Sequence, residues 1–63
     1  MNGVYVGEIQ FQDYSGEWQG IEWTTMYPSD QEIRQTMQSV QKRLPNSRIR
    51  CIDRDTGRLV DIL

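Results

Sequence analysis

Histidine is absent from this 63-residue chain, and cysteine occurs once, at Cys51. The first absence removes the side chain most used for proton transfer near neutral pH. The second excludes a disulfide within the chain. Together they exclude the common zinc sites, which need several Cys or His ligands. No apolar run approaches the roughly 20 residues that a membrane-spanning helix requires, so no membrane partner is expected. Residues 1–25 contain no Lys or Arg, so the positively charged start of a secretory leader is missing. With a single unpaired thiol, this places the expected location in the cytoplasm.

A chain of this length makes one domain, residues 1–63. It hides only about 60% of the surface that its unfolded form exposes. Domains this small are usually stapled by disulfides or metals, or they self-associate. With both staples excluded, tight packing or self-association is left.

Charge is unevenly spread. Residues 1–32 contain Glu8, Asp13, Glu17, Glu22, Asp30 and Glu32 with no Lys or Arg, and sum to −6. Residues 33–63 set Arg34, Lys42, Arg43, Arg48, Arg50, Arg54 and Arg58 against Asp53, Asp55 and Asp61, and sum to +4. Either the halves neutralise each other when packed, or one of them meets a partner of opposite sign. The net charge of −2 argues against a dedicated nucleic-acid binder.

Hydrophobic spacing divides the chain into a hairpin, a helix and a second hairpin. Residues 4–12 alternate, with Tyr5, Ile9 and Phe11 on one face, and residues 17–25 carry Trp18, Ile21 and Trp23. A three-residue loop, Tyr14-Ser15-Gly16, would hold Gly16 in the left-handed region. That register sets Ile9 opposite Ile21, Glu8 opposite Glu22 and Gln12 opposite Trp18. It also lays Trp23 over Gly7, a stabilising arrangement.

Ser29 and Glu32 then fit the N-cap and N3 positions of a capping box. Pro28 biases Tyr27 towards extended backbone. Ile33, Met37, Val40 and Leu44 form one apolar helical stripe. Lys42 and Arg43 suit the helix C-terminus, and Pro45-Asn46 ends it. In the second hairpin, residues 48–53 and 58–63 flank Arg54-Asp55-Thr56-Gly57. The expected pairs are Asp53–Arg58, Cys51–Val60, Arg50–Asp61 and Ile49–Ile62. One face is then apolar (Ile49, Cys51, Val60, Ile62). The other mixes an Arg50–Asp61 ion pair with Ile52, Leu59 and Leu63.

The expected fold is α+β, ordered ββαββ: a four-stranded, mainly antiparallel sheet of two hairpins with one helix on one face. A single helix covers a single face. The other would carry Val4, Val6, Trp18, Met26, Ile52, Leu59 and Leu63 among charged neighbours. That is a large apolar surface for a small monomer. It points to a protein partner, most simply a second copy in a homodimer. The candidate partner-binding residues are Val4, Val6, Trp18, Arg50, Ile52 and Leu59.

Catalytic equipment is sparse. Glu8 and Glu22, if opposed, are a carboxylate pair of the kind that splits its pKa values and serves glycosidases. A bare two-stranded face offers no cleft for substrate, however, so a solvated pair or one bridged by Arg50 is the simpler reading. Cys51 as a nucleophile needs a base or cation beside it. Arg48 and Arg50 point to the other side of the strand, which leaves Cys51 a small core residue. No glycine-rich phosphate loop occurs, and no cofactor is expected. Asp53, Asp55 and Gly57 resemble a calcium loop only in outline. The bidentate Glu is missing and the segment sits in a hairpin, so no metal is expected.

These features favour a non-enzymatic protein–protein interaction or regulatory module that self-associates. By analogy, small acidic single-domain chains often serve as accessory proteins, those of phages and other mobile elements among them. The alternative is a single-stranded nucleic-acid-binding sheet. There Trp18 and Tyr14 would stack bases while Arg48, Arg50, Arg54 and Arg58 grip phosphates. No RNP-type motif accompanies them. The readings differ in geometry. The first needs an apolar patch, the second an aromatic and several Arg on one exposed surface. The ββαββ order recurs in unrelated small domains and carries little functional weight.

Overall fold

A computed structural model describes residues 3–63. Strands β1 (Gly7–Gln12) and β2 (Trp18–Trp23) precede helix α1 (Asp30–Arg43), and strands β3 (Ile49–Asp53) and β4 (Leu59–Ile62) follow it. The strands form an antiparallel sheet in the order β2-β1-β3-β4, with the helix packed on it. This is the expected α+β, ββαββ architecture. The strand order follows from apolar content. β1 and β3 supply the fully buried Ile9, Ile49 and Cys51, whereas β2 and β4 supply no buried side chain. The most apolar strands therefore take the centre, where the helix lies over them.

The helix forms where its pattern predicts. Ser29 Oγ accepts a bond from Glu32 N at 3.0 Å, capping the first turn. Glu32 does not close a capping box back onto Ser29. Its carboxylate accepts from Thr25 N at 2.9 Å and Thr25 Oγ1 at 2.8 Å, tying the helix start to the segment leaving β2. Ile33, Met37 and Val40 are buried against Ile9, Ile49 and Cys51, and Phe11, Leu44, Val60 and Leu63 pack around this cluster. Each buried aliphatic contributes about 1.5–3 kcal/mol. Val4 and Val6 are also inside, at 5% exposure each. They do not stand on a bare face as the alternation suggested.

Tyr27 departs from its expected extended conformation and has φ +52°. Its N–H donates to Tyr5 O at 2.7 Å, and its ring meets Tyr5 edge-on at 5.0 Å. Those contacts hold a backbone conformation that Pro28 and a bulky side chain would otherwise disfavour.

Both hairpin turns form as predicted. Gly16, at φ +92°, donates to Asp13 O, and Asp13 N donates to Glu17 O. Asp13 Oδ1 accepts from Ser15 N, Ser15 Oγ and Glu17 N, and Oδ2 accepts from Gln19 Nε2. Bonding from the Ser15 side chain, then Gln19, holds the Asp13 carboxyl down at about 2. In the second turn Gly57, at φ +76°, donates to Asp53 O, and Asp53 N to Arg58 O.

Beyond the turns, each edge strand carries a bulge that changes the expected register. In β2 the pairs run Gln12–Trp18, Gln10–Gly20, then Ile9–Glu22 and Glu8–Trp23, leaving Ile21 as the extra residue. Glu8 and Glu22 therefore lie on opposite faces, not opposed. Trp23 does not rest on Gly7, whose carbonyl instead accepts from Thr24 N at 2.9 Å. The helix packs on β3 and β1. On the helix side Trp23 would have little to cover it. The bulge turns Trp23 to the other face and gives the helix side Glu22, which pairs with Arg43 at 2.8 Å.

In β4 the pairs are Ile52–Leu59, then Cys51–Asp61 and Arg50–Ile62, with Val60 extra. Leu63 N donates to Ile49 O. The expected Cys51–Val60, Arg50–Asp61 and Ile49–Ile62 pairs are thus replaced. The shift lets both Val60 and Leu63 reach the core while Ile62 turns away. Asp61 moves to the helix side and pairs with Arg34 at 2.9 Å.

Candidate interaction face

Residues paired across antiparallel strands share a face. The ladder therefore defines the side of the sheet opposite the helix. Gln12 and Trp18 form one row. Gly20, Gln10, Arg50 and Ile62 form the next, and Trp23, Glu8, Ile52 and Leu59 the third. Read across the strands, aromatics occupy β2, an acid and amides β1, a cation β3 and aliphatics β4.

The centre of this face is a polar seam. Arg50 Nε donates to Gln10 Oε1 at 2.7 Å, and Gln10 Nε2 donates to Glu8 Oε2 at 2.8 Å. The Arg50 guanidinium sits over the Trp18 ring, 4.1 Å from its centroid. Arg54, from the β3–β4 turn, sits over Trp23 at 5.1 Å. Such stacks contribute about 0.5–1 kcal/mol each at exposed sites. Gln10 is buried yet fully partnered, and no buried side-chain N or O among the described residues lacks a hydrogen bond. The Glu8 carboxylate also fills the space above Gly20, where an added Cβ would come within 2.8 Å of Oε2.

Apolar groups flank the seam. Trp23 is 60% exposed on one side, and Leu59 and Ile62 are 57% and 37% exposed on the other. Ile52 and Trp18 are half-buried. The face is thus two apolar strips divided by polar side chains, not the continuous apolar surface expected. Of the six candidate residues, Trp18, Arg50, Ile52 and Leu59 come together here, and Val4 and Val6 do not. Met26 is exposed and takes a bond from the Tyr5 hydroxyl at 2.9 Å. Leu63 belongs to the core side.

Trp23 and Ile62 were missed because their placement depends on the bulges, and Arg54, named only for the nucleic-acid alternative, reaches this face from the turn. One signal was available. A glycine inside a strand pattern, here Gly20, often marks a bulge. Arg43 on Glu22, Arg50 on Trp18 and Arg54 on Trp23 all join the basic half of the chain to the acidic half. The two halves therefore meet partly through ion pairing and partly through cation–π contact.

Other chemistry is thin. Cys51 is fully buried in the core, and burial, helped by Asp61 and Asp53, pushes its thiol up to about 11. It is held as a neutral thiol. A shallow pocket of about 180 Å³ is lined by Val4, Asp53, Arg58, Leu59 and Val60. Among the described residues no cluster of His, Cys, Asp or Glu is placed to hold a metal ion. Among the described residues no helix is long and apolar enough to cross a membrane. No protein-family model, curated protein or solved structure matches the chain.

Proposed function

We propose that this chain is a non-enzymatic protein-binding module and that the open sheet face is its binding surface. One observation carries the reading: exposed Trp23, Leu59 and Ile62 share a single face with two Arg–Trp stacks, one of them on Trp23 itself. Trp and Arg dominate the energetics of protein interfaces, and the fully buried part of such interfaces is apolar. A face already carrying its own hydrogen-bonded seam loses little side-chain entropy on binding.

The alternative, single-stranded nucleic acid, is less well supported. Base stacking needs a free aromatic face. Here each tryptophan already carries a guanidinium. Two of the four cations that would grip phosphates, Arg50 and Arg54, are thus engaged with tryptophan rings, one of them the Trp18 that would stack bases. Glu8 adds a negative charge beside them.

The test compares two variants in capture experiments with immobilised protein. Leu59→Glu, on the open face, should abolish capture of any partner, while Gln38→Glu, on the outer helix surface, should leave it intact. Capture unaffected by Leu59→Glu removes the reading. Salt-sensitive oligonucleotide binding that Arg50→Ala weakens would establish the nucleic-acid alternative.

A further inference from the structure

We infer that the open face is self-complementary, and that its partner is a second copy of this chain related by a twofold axis running along the strands. The inference rests on the protein-binding reading above and names the occupant of that face.

The argument begins with the order of chemistry across the sheet. β2 presents Trp18 and Trp23, β1 presents Glu8 and Gln10, β3 presents Arg50, and β4 presents Leu59 and Ile62. A twofold axis along the strands reverses this order in the second copy. β2 then lies over the partner's β4, and β1 over the partner's β3. Aromatic rings cover aliphatic side chains on both flanks. The axis keeps each row level, so Gln10 covers the partner's Arg50, and Glu8 lies one row away from it over the partner's Ile52. Twofold symmetry makes each of these contacts twice.

The other face-to-face choice is an axis across the strands. It lays every strand over its own copy, which sets the Arg50 strand against the partner's Arg50 strand and the Glu8 strand against the partner's Glu8 strand. Like charges directly opposed are unfavourable. The hairpins repeat this bias on a larger scale. Residues 3–27 hold Glu8, Asp13, Glu17 and Glu22 with no Lys or Arg, whereas residues 48–63 hold Arg48, Arg50, Arg54 and Arg58 against Asp53, Asp55 and Asp61. Only the strand-parallel axis sets the acidic hairpin against the basic one.

Two further observations agree. Both edge strands are bulged, which hinders extension of the sheet edge to edge and leaves the face as the route to pairing. An interface of standard size takes about 800 Å² from each partner. The chain exposes 4320 Å² in a slab of 32 × 21 × 14 Å, so one broad side is of the right order.

Charge reversal tests the axis. Light scattering after size-exclusion chromatography should give the wild type twice its 7.5 kDa chain mass. Glu8→Arg alone and Arg50→Glu alone should each shift the mass to that of a monomer. Mixing the two variants should restore the dimer, because the charges at positions 8 and 50 that approach across the two copies are then opposite in sign. The restored mass also shows that neither variant has simply unfolded. Leu59→Glu should give a folded monomer whose melting temperature, lowered by the lost association, no longer depends on protein concentration.

A dimer indifferent to both charge reversals, or single variants not rescued by mixing, overturns the strand-parallel axis. A wild type that stays monomeric at all concentrations overturns the self-pairing. If such a monomer still captures another protein through Leu59, the binding-module reading survives. If it captures nothing, both readings fall.

Discussion

The two sides of the sheet follow different rules. Under the helix, Ile9, Ile33, Met37, Val40, Ile49 and Cys51 close into a dry cluster. On the open side, Glu8, Gln10 and Arg50 are linked by hydrogen bonds, and the Arg50 guanidinium lies over the Trp18 ring. The first side gains stability by excluding water from apolar surface. The second satisfies its polar groups and leaves apolar ones exposed at the flanks. In so small a domain one helix supplies the whole of one cover. The uncovered side is therefore where stability requirements are weakest and binding chemistry can be placed.

Substitutions sharpen this contrast, and the largest effect belongs to the covered side. Met37→Ala should lower unfolding free energy by about 2–5 kcal/mol, read by denaturant titration. Gly7→Ala comes next, because an added Cβ would lie 2.8 Å from Cys51 Sγ and 3.2 Å from Thr24 Cγ2. Overpacking of this kind costs about 1–3 kcal/mol. Equal melting temperatures for Gly7→Ala and wild type would contradict the close packing at that point. Ser29→Ala removes the helix cap and should cost about 1 kcal/mol.

A smaller effect lies in the first turn and appears only in acid. The Asp13 carboxyl is lowered from 3.8 to about 2 in the fold. Its contribution is therefore complete above pH 3.8 and is lost as pH falls through about 2. Asp13→Asn should remove that step from the melting temperature measured against pH. The smallest effect belongs to the open side. Leu59→Ala should change the monomer's stability by no more than about 0.5 kcal/mol. A loss as large as that of Met37→Ala would abolish the distinction between the two sides.

Much of the fold was legible from local pattern. The helical stripe, the Ser29 cap and the two turns at Gly16 and Gly57 each depend on residues near in sequence. The site was only partly legible. Trp18, Arg50, Ile52 and Leu59 were assigned to the open face from alternation, and they lie there. Val4 and Val6 were assigned by the same alternation and are buried, because regular pairing does not extend to them. Tyr27 takes a positive φ for the sake of contacts with Tyr5, more than twenty positions away. The bulges escaped for a related reason. Each is set by what the helix covers, and the helix position is not written in the strands that bulge.

The amino-acid order by itself determined where the chain bends, where it coils into a helix and which side of that helix is dry. These depend on backbone preferences and on spacings of a few residues. The tertiary structure alone decided that β1 and β3 lie adjacent, that Ile21 and Val60 are bulged, and that Arg50 stacks on Trp18 in place of pairing with Asp61. Those outcomes compare the free energies of whole packings, in which one side chain's burial depends on where every other element has settled.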